Sequence, residues 1–203
     1  MSNLLVLASG SPRRKELLEQ IGLEFEIFPA KGEEVHSDLK PSLLVQELAY
    51  QKAEEVCRHY MENRDLGFDT WVFLGSDTVV VRDDVILGKP KSEEDAFEML
   101  SSLQGRGHFV CTGVAMIAVC RGEVVWSTKF TSETRVEMYK MSPNEIWEYI
   151  KTKEPMDKAG SYGIQGRCAA YIKGIVGDYF TVVGLPVGQV YLELKKHGFF
   201  RDK

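Results

Sequence analysis

Residues 109–119 and 124–139 are rich in β-branched side chains and flank Arg121-Gly122, so together they predict one long β-hairpin. A hairpin puts an antiparallel pair into whatever sheet contains it. A purely parallel, doubly wound sheet has no place for such a pair. Elsewhere strand-like and helix-like stretches alternate, which predicts an α/β fold with a mixed sheet and flanking helices.

The remaining elements are read from local pattern. Residues 4–8 form a short apolar strand. Residues 12–21 form a helix, with Ser11 at the N-cap, Pro12 in the first turn and Gly22 past the end. Residues 25–28 are a short strand, and residues 41–60 are a long amphipathic helix with Leu44, Leu48 and Val56 on its apolar face. Residues 71–74 and 78–81 read as strand on either side of Gly75-Ser76-Asp77. Residues 92–103 form a helix with an acidic first turn. Ser142-Pro143-Asn144-Glu145 is a capping box that opens a helix to about Lys151. Residues 154–166 read as a charged, glycine-rich loop. Strands are expected near 171–175 and 181–183, and a final helix at 187–196.

With 203 residues, 44% of them hydrophobic, the chain is long enough to bury a sizeable core, and residues 1–203 are expected to form a single domain. Its 25 Lys and Arg are outnumbered by 30 Asp and Glu, and the net charge is −5. Such a balance argues against a protein that grips nucleic acid by its phosphates. A small anion is still a feasible ligand, because a few local cations outweigh a modest global charge. Cys57, Cys111, Cys120 and Cys168 show no metal-ligand spacing and are expected to be reduced thiols. The apolar run near the N-terminus is too short to span a bilayer, so no membrane association is expected and the cytoplasm is the default location.

Several segments carry chemistry. Ser9-Gly10-Ser11-Pro12-Arg13-Arg14 joins the first strand to the first helix. A helix N-terminus offers unpaired N–H groups, and two guanidiniums beside it can grip phosphate oxygens in pairs. An ordinary N-cap with solvated arginines is the plainer reading. Asp77 is expected at a strand end, beside a glycine that lets another group approach closely. It could bind a hard cation or take a proton from water, or simply bond to its own turn. Glu33-Glu34 would supply a second metal ligand only if folded near Asp77. Lys52 lies on the long helix, and Lys89 is fixed between Gly88 and Pro90. In the stretch 154–166, Lys158 offers a cation and Gln165 an amide able to read the edge of a base. The four histidines have no metal spacing and no assigned role. There is no nucleophile elbow and no Walker A sequence.

Taken in order, these segments resemble the Maf family of nucleotide pyrophosphatases. The resemblance rests on Ala8-Ser9-Gly10-Ser11-Pro12-Arg13-Arg14-Lys15-Glu16-Leu17-Leu18, Leu48-Ala49-Tyr50-Gln51-Lys52-Ala53, Gly75-Ser76-Asp77-Thr78-Val79-Val80 and Gly88-Lys89-Pro90. It continues through Gly113-Val114-Ala115, the stretch from Glu154 to Gly166, and Val182-Val183-Gly184-Leu185-Pro186. Each segment alone is weak, but the ordered set spans nearly the whole chain. The resemblance implies an elongated mixed sheet with flanking helices, in two lobes around a central cleft, similar to the inosine triphosphatase fold.

The implied reaction is water attack at the α-phosphorus of a nucleoside triphosphate, releasing pyrophosphate, with Mg2+ or Mn2+. Asp77 matches the family's catalytic carboxylate, as metal ligand or general base. Ser11, Arg13, Arg14, Lys52 and Lys89 match its phosphate-handling set. Glu33 matches a further acidic position, with Glu34 an equal alignment. Arg13, Thr78 and Gln165 resemble the branch that prefers dTTP, UTP and related pyrimidine triphosphates. The branch that prefers 7-methyl-GTP has an aromatic, Gln and Glu at those positions. Two departures bear on the base pocket: Arg167-Cys168-Ala169-Ala170 replaces a common glycine pair, and Thr181 stands where Asn is common. A homodimer is compatible with the resemblance.

Two other functions stay open on the sequence: a non-catalytic nucleotide-binding regulator of cell division, and a sanitiser of purine triphosphates.

Overall fold

A computed structural model describes residues 3–32, 39–64, 66–67 and 69–200 of the chain. Among these residues, seven strands form one mixed sheet in the order β2-β1-β3-β5-β6-β7, with β4 paired to β3. The strands are β1 (Asn3–Leu7), β2 (Phe25–Ile27), β3 (Thr70–Arg82), β4 (Val85–Leu87), β5 (Gly107–Cys120), β6 (Glu123–Met138) and β7 (Ile172–Val176). The α-helices that accompany them are α1 (Pro12–Gln20), α2 (Pro41–Asn63), α3 (Glu93–Leu103), α4 (Pro143–Lys151), α5 (Tyr179–Val183) and α6 (Val187–Lys196). Pairing is parallel for β1 with β2 and with β3, and antiparallel for β3 with β4 and β6 with β7. The expected mixed α/β fold is therefore present. The long hairpin is β5–β6, turning through Arg121 at φ 54° and Gly122 at φ 76°.

The chain divides into two compact units. The first comprises Met1–Asp77, Thr112–Thr131 and Gly184–Lys203, and the second Thr78–Cys111 and Ser132–Val183. A core of the first unit joins Val6, Ala8, Ala49, Ala53, Val56, Tyr60, Phe73, Ala115 and Ile117. A core of the second joins Val80, Leu100, Leu103, Val136, Ile146, Ile150 and Tyr162.

Two expectations need correction. Residues 70–82 are one uninterrupted strand, so Asp77 sits in mid-strand rather than at a strand end. Gly75 does not break the strand; it lets a helix approach. A Cβ there would stand 2.0 Å from the Ala49 carbonyl oxygen and 2.9 Å from the Ala53 nitrogen, both on α2. Gly113 on β5 plays the same part, since a Cβ there would meet the Val45 carbonyl carbon at 2.2 Å. Residues 181–183, expected as strand, belong to α5. Asp178 opens that turn by accepting the Phe180 N–H at 2.9 Å, a local bond that outweighs the β-branched composition.

The other boundaries agree closely. α4 carries the capping box between Ser142 and Glu145, and Ser92 caps α3 by accepting the Asp95 N–H. The stretch after α4 is not a plain loop but winds through short 3-10 turns at Glu154–Asp157, Ala159–Ser161 and Arg167–Tyr171. Among the described residues, no helix is long and apolar enough to cross a membrane. All four cysteines are free thiols.

Candidate active site

In the first unit, β3 and α2 set the central pair. Side chains two apart on a strand share a face. Gly75 brings α2 against that face between Ala49 and Ala53, and Asp77 is the next residue on it. Lys52, on the same turn of α2, then lies with Nζ 2.5 Å from Asp77 Oδ1. Both side chains are largely buried, at 18% and 15% exposure. Asp77 and Thr78 are the one half-buried break in a run of buried residues from Val72 to Val81. The Asp77 carboxylate thus meets the Lys52 ammonium of α2 at a half-buried polar notch in an otherwise buried stretch of the strand.

Ser76 points to the opposite face. Its buried hydroxyl donates to the Gly184 carbonyl at 3.1 Å, and Arg14 Nε donates to the same oxygen at 2.9 Å. Arg14 Nη1 also donates to Ser9 Oγ at 3.0 Å, and Ser9 Oγ accepts the Ser11 N–H at 3.3 Å. Three separate sequence segments therefore converge through one carbonyl. Gly184 holds φ 121°, a conformation that favours glycine. Ser11 occupies the N-cap of α1 as expected, but its side chain makes no cap bond; its own N–H is taken by the Ser9 hydroxyl. No acid occupies the first turn of α1 to offset its positive end, and half-buried Arg13 stands there instead. Arg14, grouped by sequence with the phosphate-handling residues, spends its Nε and Nη1 on holding these segments together.

In the second unit, Lys89 is exposed after β4, and the Gly88 carbonyl accepts the Gly160 N–H at 2.9 Å. The Gly88-Lys89-Pro90 turn and the 154–166 stretch are thereby joined. Lys158 is turned inward. Its Nζ donates to the Glu154 carbonyl and to Asp157 Oδ1, the latter at 2.7 Å. Gln165 is exposed, while Tyr162 nearby is buried against His108, with Nε2 and Oη 2.7 Å apart. Burial, followed by the nearby Arg106 charge, lowers the His108 pKa to about 4. Thr181 Oγ1 donates to Ser132 Oγ at 2.7 Å, so its hydroxyl is engaged inside the unit.

Glu33 and Glu34 lie outside the described residues. The backbone just before them is held by Glu55 of α2, whose carboxylate accepts the Lys31 and Gly32 N–H groups at 2.8 and 3.0 Å. Sequence reasoning passes over Glu55, which reads as a solvated helix glutamate. Among the described residues, no group of three His, Cys, Asp or Glu side chains gathers to hold a metal. Asp77 is the carboxylate that the described residues offer at this site. That donor suits Mg2+ or Mn2+, which take oxygen ligands and commonly use one or two carboxylates together with substrate phosphates and water.

The family model described as Maf-like protein matches residues 4–197. This chain belongs to the Maf family. A relative from Agathobacter rectalis, named dTTP/UTP pyrophosphatase, is 51% identical over 199 residues, covering 96% of this chain and 97% of that one. Relatives of the same name from Acetivibrio thermocellus and Lachnoclostridium phytofermentans are 47% and 44% identical, each covering 96% of this chain and 95% of their own. Among solved structures, the Staphylococcus aureus Ham1 protein is 14% identical with a TM-score of 0.44, covering 96% of this chain and all of that one. So distant a likeness says nothing of this chain's chemistry. For a Maf chain, the Lys52–Asp77 pair and the α1 N-terminus are the parts whose chemistry must be explained.

Proposed function

We propose that this Maf chain hydrolyses dTTP, UTP and related pyrimidine nucleoside triphosphates to the monophosphate and pyrophosphate, with Mg2+ or Mn2+. The observation that carries the reading is the Lys52–Asp77 pair, 2.5 Å apart in the polar notch of β3. The names of relatives 44 to 51% identical support the substrate class.

A triphosphate is strongly anionic, so attack on its phosphorus is limited by charge repulsion and by positioning. The N–H groups at the start of α1 and the Arg13 guanidinium supply positive charge for phosphate oxygens. Lys52 orients Asp77 and adds a cation beside it. Asp77 accepts a proton from the attacking water or holds that water in line. A divalent cation, when bound, would supply further charge neutralisation, with Asp77 as one ligand and Glu33 or Glu34 as the sequence candidate for a second. Lys89 is a further phosphate cation, and Arg14 serves chiefly to fix the Ser9–Arg13 segment. Thr78 and Gln165 carry base preference, and Lys158 holds the loop that bears Gln165.

Assay of pyrophosphate and monophosphate release across a panel of nucleoside triphosphates tests the reading. Release of both, strongest with dTTP or UTP and abolished by chelation, is expected. Binding without release would replace the enzyme with a nucleotide-binding regulator.

A further inference from the structure

Around Gln165 the loop is gripped by the Glu154 carboxylate. Tyr149 Oη donates to Glu154 Oε1 at 2.8 Å, and the Arg167 N–H donates to Glu154 Oε2 at 3.0 Å. Tyr149 Oη in turn accepts the Gly163 N–H at 3.2 Å. These bonds grip the backbone on both sides of Gln165. The turn between them is closed by the Gly166 N–H, which donates to the Gly163 carbonyl at 3.3 Å.

The glycines make this grip feasible. A Cβ at Gly166 would stand 2.0 Å from Glu154 Oε1, so the carboxylate lies flush against the backbone where only glycine leaves room. A Cβ at Gly163 would meet the Lys158 side chain at 2.7 Å. The anchor is itself buried: Tyr149 is 4% exposed and lies in the second unit's core, whereas Gln165 is exposed.

A primary amide presents a donor on one side and an acceptor on the other, and it can flip. Telling a uracil edge from a cytosine edge means telling an acceptor from a donor at the same ring position. An amide on a freely moving backbone adapts to either, so discrimination requires its backbone to be fixed.

We infer that Glu154 and Tyr149 are positioning residues for base selection, holding the Gln165 backbone so that its amide favours one pyrimidine edge. This rests on the proposed triphosphatase reading and extends it to residues that touch no phosphate.

The test measures kcat and KM for UTP and CTP in wild type, Glu154→Gln and Tyr149→Phe, with amide hydrogen exchange at Gly163 and Arg167. Expected is a fall in the UTP-to-CTP ratio of kcat/KM of about tenfold in Glu154→Gln, carried by KM, with a smaller fall in Tyr149→Phe. Exchange at both amides should quicken in Glu154→Gln, while kcat on UTP should change by less than about threefold. Faster exchange with an unchanged ratio overturns the inference, as does an equal loss on both nucleotides. Wild-type protein that turns over neither nucleotide would overturn the underlying triphosphatase reading, and the inference with it.

Discussion

Lys52 Nζ stands 2.5 Å from Asp77 Oδ1, although the two residues lie on different elements, α2 and β3. Their meeting is prepared by Gly75, which lets the backbone of α2 touch the strand one step along the same face. The pairing of Lys52 with Asp77 therefore depends on a packing contact as much as on the charged groups.

Asp77→Asn keeps the size and much of the hydrogen bonding of the side chain but removes its basicity. Turnover should fall on the order of a hundredfold or more while the protein stays folded. Steady-state pyrophosphate release, with circular dichroism as the folding control, makes the comparison. Near-normal activity would remove Asp77 as base or essential ligand.

Gly75→Ala should be severe for a different reason. The added methyl would overlap the Ala49 carbonyl, so strand and helix must part. A loss of about 3 kcal/mol, or failure to fold, is expected from overpacking against backbone that cannot turn away. Urea unfolding of the variant checks this. Gly188→Ala, where nothing lies within 4 Å of the added methyl, is the control; it sits in α6, where Ala is the better helix former, so it should be neutral to slightly stabilising.

Gln165→Glu replaces the amide with a group that only accepts. It should alter the preference between bases more than the rate on the best substrate. A substrate profile identical to wild type would remove Gln165 from base recognition.

His108 links stability to pH. Its pKa is lowered to about 4 by burial, against an ordinary value near 6.5 in the unfolded chain. The native state thus binds fewer protons between those values. Its contribution is complete above about pH 6.5 and is lost as the pH falls towards 4, roughly 3 kcal/mol in all. In urea unfolding, wild type should lose more stability than His108→Gln between about pH 7.5 and pH 5. Parallel losses would show that His108 is not the source.

Much of the fold was legible in the chain. The bounds of α6 and the capping box of α4 come from local patterns that tertiary packing does not contradict. The short β4, absent from the sequence reading, carries β-prone Val85-Ile86-Leu87 after the two-residue turn Asp83-Asp84, but three residues are too few to show the alternation that marks a strand. Gly75 reads as a strand break because the Ala49 carbonyl that requires a glycine there comes from a distant part of the chain. The same limit hides the role of Arg14. Its charge and its place beside a helix N-terminus point to phosphate, whereas its bond to the Gly184 carbonyl is visible only once the fold brings that carbonyl near. Glu154 is equally hidden: sequence marks the 154–166 stretch as unusual, but not that one of its carboxylates binds the loop's own backbone.

Hydrolysis of UTP with Mg2+ in 18O-labelled water, with products followed by 31P NMR, tests whether the chain cleaves between the α- and β-phosphates. UMP and pyrophosphate are expected, with the label in UMP, because water attacks the α-phosphorus. Label in pyrophosphate, or UDP and inorganic phosphate as products, would contradict it.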